Sequence, residues 1–137
     1  MGIRRTSHAR YELWYHFAWC TKYRKKVFKD QKQKESIKRL FRKIAEQYDM
    51  KIDEIELLSD HIHFTLSAPP RIAPARAAQI LKSISTKAIL KHYPNIKQQH
   101  YWGGELWVRG YFVRSTGPGL TKEEINRYIL EQSEEDP

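Results

Sequence analysis

The chain has 137 residues, with 25 Lys and Arg against 16 Asp and Glu, for a formal net charge of +9 and a sequence pI near 9.7. This length suits one domain with a single core, and the charge favours a polyanionic partner, nucleic acid before an anionic membrane, although a merely soluble cationic surface would also fit. No apolar stretch reaches the roughly 18–20 residues of a membrane span, no signal-peptide core follows the N-terminus, and the single Cys20 excludes an internal disulfide. We therefore expect a cytoplasmic, nucleoid-associated protein without membrane contact.

The first half of the chain predicts a strand, a helix and two further strands. Apolar residues alternate with others over Tyr11–Thr21, which is typical of a strand, and a basic turn follows. Asp30 is suited to cap a helix that runs to about Tyr48. Two more strands are predicted over Lys51–Leu58 and His61–Ser67, and Pro69-Pro70 ends the second of them because proline cannot donate to a ladder.

The second half completes a recognisable order of elements. A helix is predicted over about Pro74–His92 and a fourth strand over about Glu105–Ser115, with a capping box, Thr121 to Glu124, opening a last helix. The order β-α-β-β-α-β plus a C-terminal helix predicts an α+β, ferredoxin-like fold: an antiparallel sheet with both main helices on one face. We expect a single domain over residues 1–137, with residues 1–6 and 133–137 flexible.

The third predicted strand carries two histidines on one face. Successive strand side chains point to opposite faces, so His61 and His63 share one face while Ile62 and Phe64 share the other. The apolar set must face the helices, which leaves the imidazoles on the open face, where a metal and a substrate can reach them. Two half-exposed histidines that only pack or form hydrogen bonds would give the same pattern, so this alternative stays open.

The last predicted helix pairs a phenol with an amide. Ile125, Tyr128, Ile129 and Gln132 form one stripe at spacings of three and four. An aromatic residue in such a stripe is ordinarily part of a core. Gln132 fits that interpretation less well, because an amide on a docked face needs a polar partner, which a metal held by two imidazoles would provide.

At this point the chain resembles the single-tyrosine HUH transposases of insertion sequences, over about Tyr11 to Gln132. The landmarks are Lys22-Tyr-Arg-Lys-Lys-Val-Phe28, Asp60-His-Ile-His-Phe64 followed by Pro69-Pro70, Leu81-Lys-Ser-Ile-Ser85, Leu106-Trp-Val-Arg-Gly-Tyr-Phe-Val113 and Tyr128-Ile-Leu-Glu-Gln132. The resemblance implies a transposase that cleaves and rejoins single-stranded DNA next to hairpins at insertion-sequence ends.

The resemblance also implies roles for four residues. His61, His63 and Gln132 correspond to the ligands of Mg²⁺ or Mn²⁺, and Tyr128 corresponds to the nucleophile that forms a 5′-phosphotyrosine. It further implies a homodimer in which each active site takes its histidines from one chain and Tyr128 from the other. For DNA contacts we expect a basic set of residues with one aromatic among them: Arg4, Arg5, Arg10, Lys22, Tyr23, Arg24, Lys25, Lys26 and Lys82.

Two other interpretations remain open. The chain could be a non-catalytic, nucleic-acid-binding ferredoxin-like domain, because that fold often presents a sheet to single strands. It could also be a host-domesticated relative that acts on chromosomal palindromes with the same chemistry. The first alternative leaves the combination of His-x-His with Tyr-x-x-x-Gln unexplained.

Overall fold

The computed structural model describes residues 1–100, 103–115 and 129–130. It begins with a small antiparallel hairpin of two strands, β1 and β2. The elements, in chain order, are β1 (Arg4–Arg5), β2 (Arg10–Tyr11), β3 (Trp14–Cys20), a 3₁₀ turn (Lys22–Arg24), α1 (Gln31–Gln47), β4 (Lys51–Leu57), β5 (His61–Ser67), α2 (Pro74–His92), α3 (Pro94–Gln99) and β6 (Phe112–Ser115).

The main sheet has four strands in the order β4-β5-β3-β6, and every neighbouring pair is antiparallel. α1 connects β3 to β4, and α2 lies between β5 and β6 in the chain. This is the split βαβ arrangement, so the predicted α+β, ferredoxin-like fold is confirmed. In this strand order β5, which carries both candidate histidines, lies inside the sheet between β4 and β3.

The core lies between the helices and one face of this sheet. The ring of Phe41 on α1 lies 6.3 Å from Trp19 on β3 and 6.0 Å from Phe64 on β5, centroid to centroid. α1 begins as predicted, because the Asp30 carboxylate accepts a hydrogen bond from the Gln33 amide. Further side chains of the same core come from both helices and from β5: Ile37, Ile44, Ile62, Leu66, Ala77, Ala78 and Leu81.

A β-bulge in β4 corrects the alternation of that strand. The apolar residues Ile52, Ile55 and Leu57 are unevenly spaced, and the pairing with β5 shifts register between Ile52 and Ile55. The extra residue lets all three pack against the core. The Glu54 amide, inside the bulge, donates to the Thr65 hydroxyl (2.9 Å).

Two of the predicted strands are shorter than expected. The first is interrupted, because Tyr11 pairs with Arg4 in the hairpin and only Trp14–Cys20 joins the main sheet. The predicted strand over Glu105–Ser115 is wrong in its first part, since only Phe112–Ser115 forms β6. Before β6, only an isolated bridge between Trp107 and Thr21 connects this segment to its neighbour as a strand would.

The segment before β6 is held by hydrogen bonds of other kinds. The Lys22 amide donates to the Leu106 carbonyl (2.8 Å), and the Val108 amide donates to the Cys20 carbonyl (3.1 Å). The indole of Trp107 donates to the Ser85 hydroxyl on α2 (3.0 Å). The short helix α3 was not predicted: Pro94 ends α2 as expected but also begins α3, at a position where a helix tolerates proline.

The N-terminal residues make specific contacts with the domain. The Trp14 indole donates to the Gly2 carbonyl (2.9 Å), and the terminal amine lies 3.2 Å from the Asp53 carboxylate. The flexibility predicted for residues 1–6 and 133–137 concerns motion and stays a prediction; residues 133–137 lie outside the described residues. Among the helices that the structure describes, none has the length and apolar character of a membrane span.

Candidate active site on the open face of the sheet

His61 and His63 lie side by side on β5. Their ring centroids are 6.1 Å apart and their planes are inclined by 18°. Ile62 and Phe64, between and after them, are buried in the core on the helix side. Both imidazoles therefore lie on the face opposite α1 and α2, as the alternation predicts, but His61 is buried, at 8% exposure, whereas His63 is partly exposed.

His61 is oriented by a buried carboxylate. Its Nδ1 lies 2.8 Å from Oδ1 of Asp60, whose second oxygen, Oδ2, accepts a hydrogen bond from Arg24 Nε (2.9 Å). Burial by itself would raise the pKa of Asp60, but the hydrogen bonds and charges of His61 and Arg24 outweigh burial and hold this pKa below its usual value. The Asp60 carboxylate thus lies against Nδ1 of His61, on the side of the ring away from Nε2.

His63 faces a second carboxylate, on the neighbouring strand. Its Nε2 lies 3.1 Å from Oε2 of Glu56, which is opposite His63 in the sheet register. A groove of about 380 Å³ opens beside this pair. Its lining combines acidic, aromatic and imidazole side chains from all four strands of the sheet: His16, Phe17, Ala18, Glu54, Ile55, Glu56, His63, Phe64, Thr65 and Phe112.

His16 is the other histidine of this groove. Burial lowers the pKa of His16, Glu54 opposes that effect and Arg114 adds to it, so that the pKa lies below its usual value. His16 is thus kept neutral at physiological pH. It lies opposite Thr65 on one side and opposite Arg114 on the other.

Two stacked imidazoles suit a divalent metal, but they are not a complete site. Among the residues described, no group of three His, Cys, Asp or Glu side chains could hold a metal ion. The predicted third ligand, Gln132, and the predicted nucleophile, Tyr128, both lie outside the described residues. Next to them, Ile129 and Leu130 are helical, and Ile129 is buried.

The predicted DNA-contact loop, residues 22–26, lies next to Asp60. Tyr23 and Arg24 both have left-handed backbone conformations, with φ of 59° and 53°. The Tyr23 side chain is 57% exposed, and the ammonium groups of Lys22 and Lys25 lie 5.5 and 5.7 Å from the centre of its ring. An exposed aromatic ring flanked by cations is a suitable platform for a nucleotide.

Several cations of the predicted DNA-contact set also have internal partners. Lys22 forms an ion pair with Glu105 (3.0 Å), and the Lys25 ammonium donates to the His100 carbonyl (3.2 Å). Arg4 donates to the Ser67 carbonyl (3.2 Å) and lies over the Tyr11 ring. These contacts position the side chains without covering the whole of their charge.

Lys82 has a different environment from the one the sequence suggests. Its ammonium donates to the carbonyls of Val108 (2.7 Å), Arg109 (2.9 Å) and Gly110 (2.5 Å). It also lies 5.2 Å from the centre of the Trp19 ring. An ammonium has three protons, and three backbone acceptors account for them, so Lys82 supports the segment before β6 rather than presenting a free charge to DNA.

Arg5, Arg10 and Lys26 are exposed. Arg5 lies directly opposite Arg10 in the β1–β2 hairpin. Two like charges in cross-strand positions repel each other, which an anion bound between them would relieve.

The structure adds residues to the site that the sequence interpretation did not assign. Asp60 stood within a recognised motif but had no role, and Glu56 and His16 were not candidates. The position of Asp60 directly before His61 was the available signal for the first. The other two depend on strand register, which the sequence does not show.

Fold and site together define a ferredoxin-like domain with a histidine pair on the open face of its sheet. A family model described as "Transposase IS200 like" matches residues 9–132, and the chain belongs to this family of transposases. Membership of this family implies DNA cleavage and strand transfer.

Relatives and solved structures agree with this assignment. The chain is 32% identical to the ISDra2 transposase TnpA of Deinococcus radiodurans, over 92% of this chain and 88% of the relative. It is also 32% identical to the transposase for insertion sequence element IS200 of Salmonella typhimurium, over 95% of this chain and 83% of the relative.

Two solved structures share the fold. A crystal structure of a protein assigned as a transposase from Deinococcus radiodurans R1 matches with a TM-score of 0.82 at 32% identity, over 94% of this chain and 97% of that one. A REP-associated tyrosine transposase bound to a REP hairpin matches with a TM-score of 0.51 at 12% identity, over 94% of this chain and 68% of that one. The second similarity is evidence for the fold alone.

Proposed function

We propose that this transposase cleaves and rejoins single-stranded DNA at insertion-sequence ends through a 5′-phosphotyrosine on Tyr128. The observation that carries the proposal is the histidine pair: the His61 and His63 rings are stacked on the face opposite the helices, and Asp60 Oδ1 lies 2.8 Å from Nδ1 of His61. A carboxylate beside one ring nitrogen is the usual partner of a histidine whose other ring nitrogen binds a metal.

His61, His63 and the amide oxygen of Gln132 would hold Mg²⁺ or Mn²⁺. When bound, the cation supplies Lewis-acid polarisation of the scissile phosphate and stabilises charge on the leaving oxygen. Two nitrogen ligands and one oxygen ligand suit Mn²⁺ well and Mg²⁺ adequately. The side chain of Glu56 is half exposed, and its negative charge attracts cations to this edge of the groove.

Tyr128 provides the nucleophile. The phenol has an ordinary pKa near 10, so its proton must leave as the oxygen attacks phosphorus. The new bond joins the tyrosine oxygen to phosphorus, the bond from phosphorus to the 3′ oxygen breaks, and that oxygen departs as a 3′-hydroxyl. The phosphotyrosine ester conserves the energy of the phosphodiester, so a different 3′-hydroxyl can reverse the step without ATP.

The DNA contacts fall on two basic regions of the described chain. The first is the loop of residues 22–26, where exposed Tyr23 offers a ring to an unpaired base and Lys26 offers a charge to the backbone. The second is the hairpin pair Arg5 and Arg10. We propose that hairpin DNA from the element ends is the substrate. We also propose that the protein acts in the cytoplasm, where the chromosome is accessible.

A homodimer would complete the active sites. Within the sheet as described, β4 and β6 are the edge strands, and joining at an edge strand is the usual way in which two sheets become one. We propose that the two sheets join and that each histidine pair works with Tyr128 of the other chain.

The test is covalent capture of DNA. Single-stranded oligonucleotides from the element ends, labelled at the 5′ or the 3′ end, are incubated with protein and Mg²⁺ or Mn²⁺ and run on a denaturing protein gel. We expect a metal-dependent adduct that carries the strand downstream of the cut, lost in Tyr128→Phe and in His63→Ala and kept in the matched control Tyr48→Phe.

Other outcomes separate the alternatives. Tight hairpin binding without any adduct would contradict the proposed chemistry and favour a non-catalytic binding domain. Adducts with chromosomal palindromes but not with element ends would identify a domesticated enzyme.

A further inference from the structure

Asp60 joins two parts of the molecule that are far apart in sequence. One carboxylate oxygen contacts His61 Nδ1 at 2.8 Å, and the other accepts from Arg24 Nε at 2.9 Å, across 36 residues of chain. Asp60 is only 6% exposed. A carboxylate is rarely buried unless each oxygen is paired, so this side chain has one favourable orientation, set by both neighbours at once.

The loop that supplies Arg24 is tied to the same residue through its backbone. The Thr21 amide donates to the Asp60 carbonyl (2.9 Å), and the Thr21 hydroxyl lies within 2.7 Å of the Lys25 carbonyl. Tyr23 and Arg24 are non-glycine residues with positive φ, a conformation that persists only where surrounding contacts impose it. The contacts with Asp60 and Thr21 are among those that hold the loop here, together with the hydrogen bond from the Lys22 amide to the Leu106 carbonyl.

The same loop offers a surface that nucleic acid could contact. Its Tyr23 ring is exposed, and the Lys22 and Lys25 ammonium groups lie on either side of that ring in sequence, each within 6 Å of its centre. A nucleotide stacked on Tyr23 would therefore contact the residue directly before Arg24. Arg24 is connected to Asp60 by one hydrogen bond, and Asp60 contacts His61 in turn.

We propose that Asp60 is a positioning residue that directs Nε2 of His61 to the metal, and that Arg24 makes this orientation depend on the state of the loop of residues 22–26. DNA held on the loop would tighten metal binding, and metal would tighten DNA binding by the same factor, because coupling between two ligands is reciprocal. This inference builds on the proposed metal-dependent cleavage.

The experiment measures metal affinity and histidine tautomer in the full chain. Mn²⁺ affinity is read by electron paramagnetic resonance, with and without a hairpin oligonucleotide that carries a single-stranded flank. The tautomer of His61 is read without metal from ¹⁵N–¹H correlations of histidine-labelled protein. In the wild type we expect the Nδ1–H tautomer and tighter Mn²⁺ binding when DNA is present.

Two variants separate the parts of the inference. Asp60→Ala should remove the Nδ1–H preference and weaken Mn²⁺ binding by about 10–100-fold, the usual effect of losing such a partner. Arg24→Gln retains the carboxylate beside His61 but removes its link to the loop, so with the hairpin at a concentration that saturates the variant it should lose the enhancement of Mn²⁺ affinity by DNA. Asp53→Asn, which alters an exposed carboxylate paired with the N-terminus, is the matched control and should change neither property.

The outcomes are distinguishable. An unchanged tautomer and unchanged Mn²⁺ affinity in Asp60→Ala would overturn the positioning role, and an undiminished effect of DNA in Arg24→Gln would overturn the coupling. If Asp60→Ala does not fold, Asp60→Asn tests the same point, because one of the two oxygens that contact His61 and Arg24 becomes an NH₂ group, which cannot accept a hydrogen bond. Failure of the wild type to bind Mn²⁺ or form an adduct would instead contradict the proposed function, while the tautomer would still report on Asp60.

Discussion

The two faces of β5 should respond very differently to truncation. Phe64 is 3% exposed and lies 5.5 Å from Phe17, 5.3 Å from Trp19 and 6.0 Å from Phe41, between ring centroids. Phe64→Ala removes three aromatic contacts and leaves a cavity, for an expected loss of about 3–5 kcal/mol in the free energy of unfolding. That is a large share of the roughly 5–15 kcal/mol that stabilises a typical domain.

His63→Ala, on the next residue, should cost much less. The side chain is 22% exposed, and its partner Glu56 is half exposed, so their contact is screened by water. We expect a loss within about 1 kcal/mol. The two substitutions thus contrast a residue that builds the fold with one to which the proposed function gives a role in metal binding.

Urea unfolding, followed by tryptophan fluorescence with EDTA present and at fixed protein concentration, measures both losses. EDTA removes any stabilisation by bound metal, and the fixed concentration removes differences due to oligomerisation. Phe64→Leu serves as the milder variant if the alanine variant does not fold. Equal losses, or a larger loss for His63→Ala, would refute the assignment of these residues to opposite faces.

Three further predictions address charge, pH and a buried hydrogen bond. Replacing Arg5 and Arg10 together by glutamine should lower the slope of log affinity for hairpin DNA against log salt by about 1.4–1.8, because each phosphate contact contributes about 0.7–0.9; fluorescence anisotropy over a salt series measures this. Burial lowers the pKa of His16 in the folded state, so the wild type should lose stability as pH falls below about 6.5 toward that lower value and keep it above 6.5. Compared by urea unfolding across this window, His16→Gln should show a smaller dependence, with a remainder from His100, whose pKa burial also lowers. Trp107→Phe leaves the fully buried Ser85 hydroxyl without the indole N–H and should cost about 1–3 kcal/mol in urea unfolding.

Each of these has a control. Arg39→Gln with Arg76→Gln removes the same charge from the helices, and an equal change of salt slope would argue against specific contacts by the hairpin. His8→Gln alters an exposed histidine of the β1–β2 turn, and a matching pH effect there would discount His16. An unchanged unfolding free energy in Trp107→Phe would mean that the indole hydrogen bond adds nothing to stability.

Local pattern alone was enough to predict the central elements. Strand β5 has the predicted bounds, His61–Ser67, and α2 has the predicted bounds, Pro74–His92. The alternation along β5 and the Asp30 cap of α1 depend only on neighbouring residues, so the open-face position of the two histidines followed from the sequence. The roles of Tyr128 and Gln132 rest on resemblance and stay predictions.

The sequence could not show the contacts that depend on which strands and loops lie next to each other. The bulge in β4, the pairing of Glu56 with His63 and the contact of Arg24 with Asp60 all join residues brought together by register or by a loop. The segment before β6 likewise takes its path from the carbonyls that Lys82 binds. Periodicity predicted which residues of β5 and α1 face the core, because that pattern is local. The partners that orient His61 and His63 were decided only by the tertiary structure. A hydrogen bond requires two atoms within about 3 Å, and the sequence does not show which distant residues come that close.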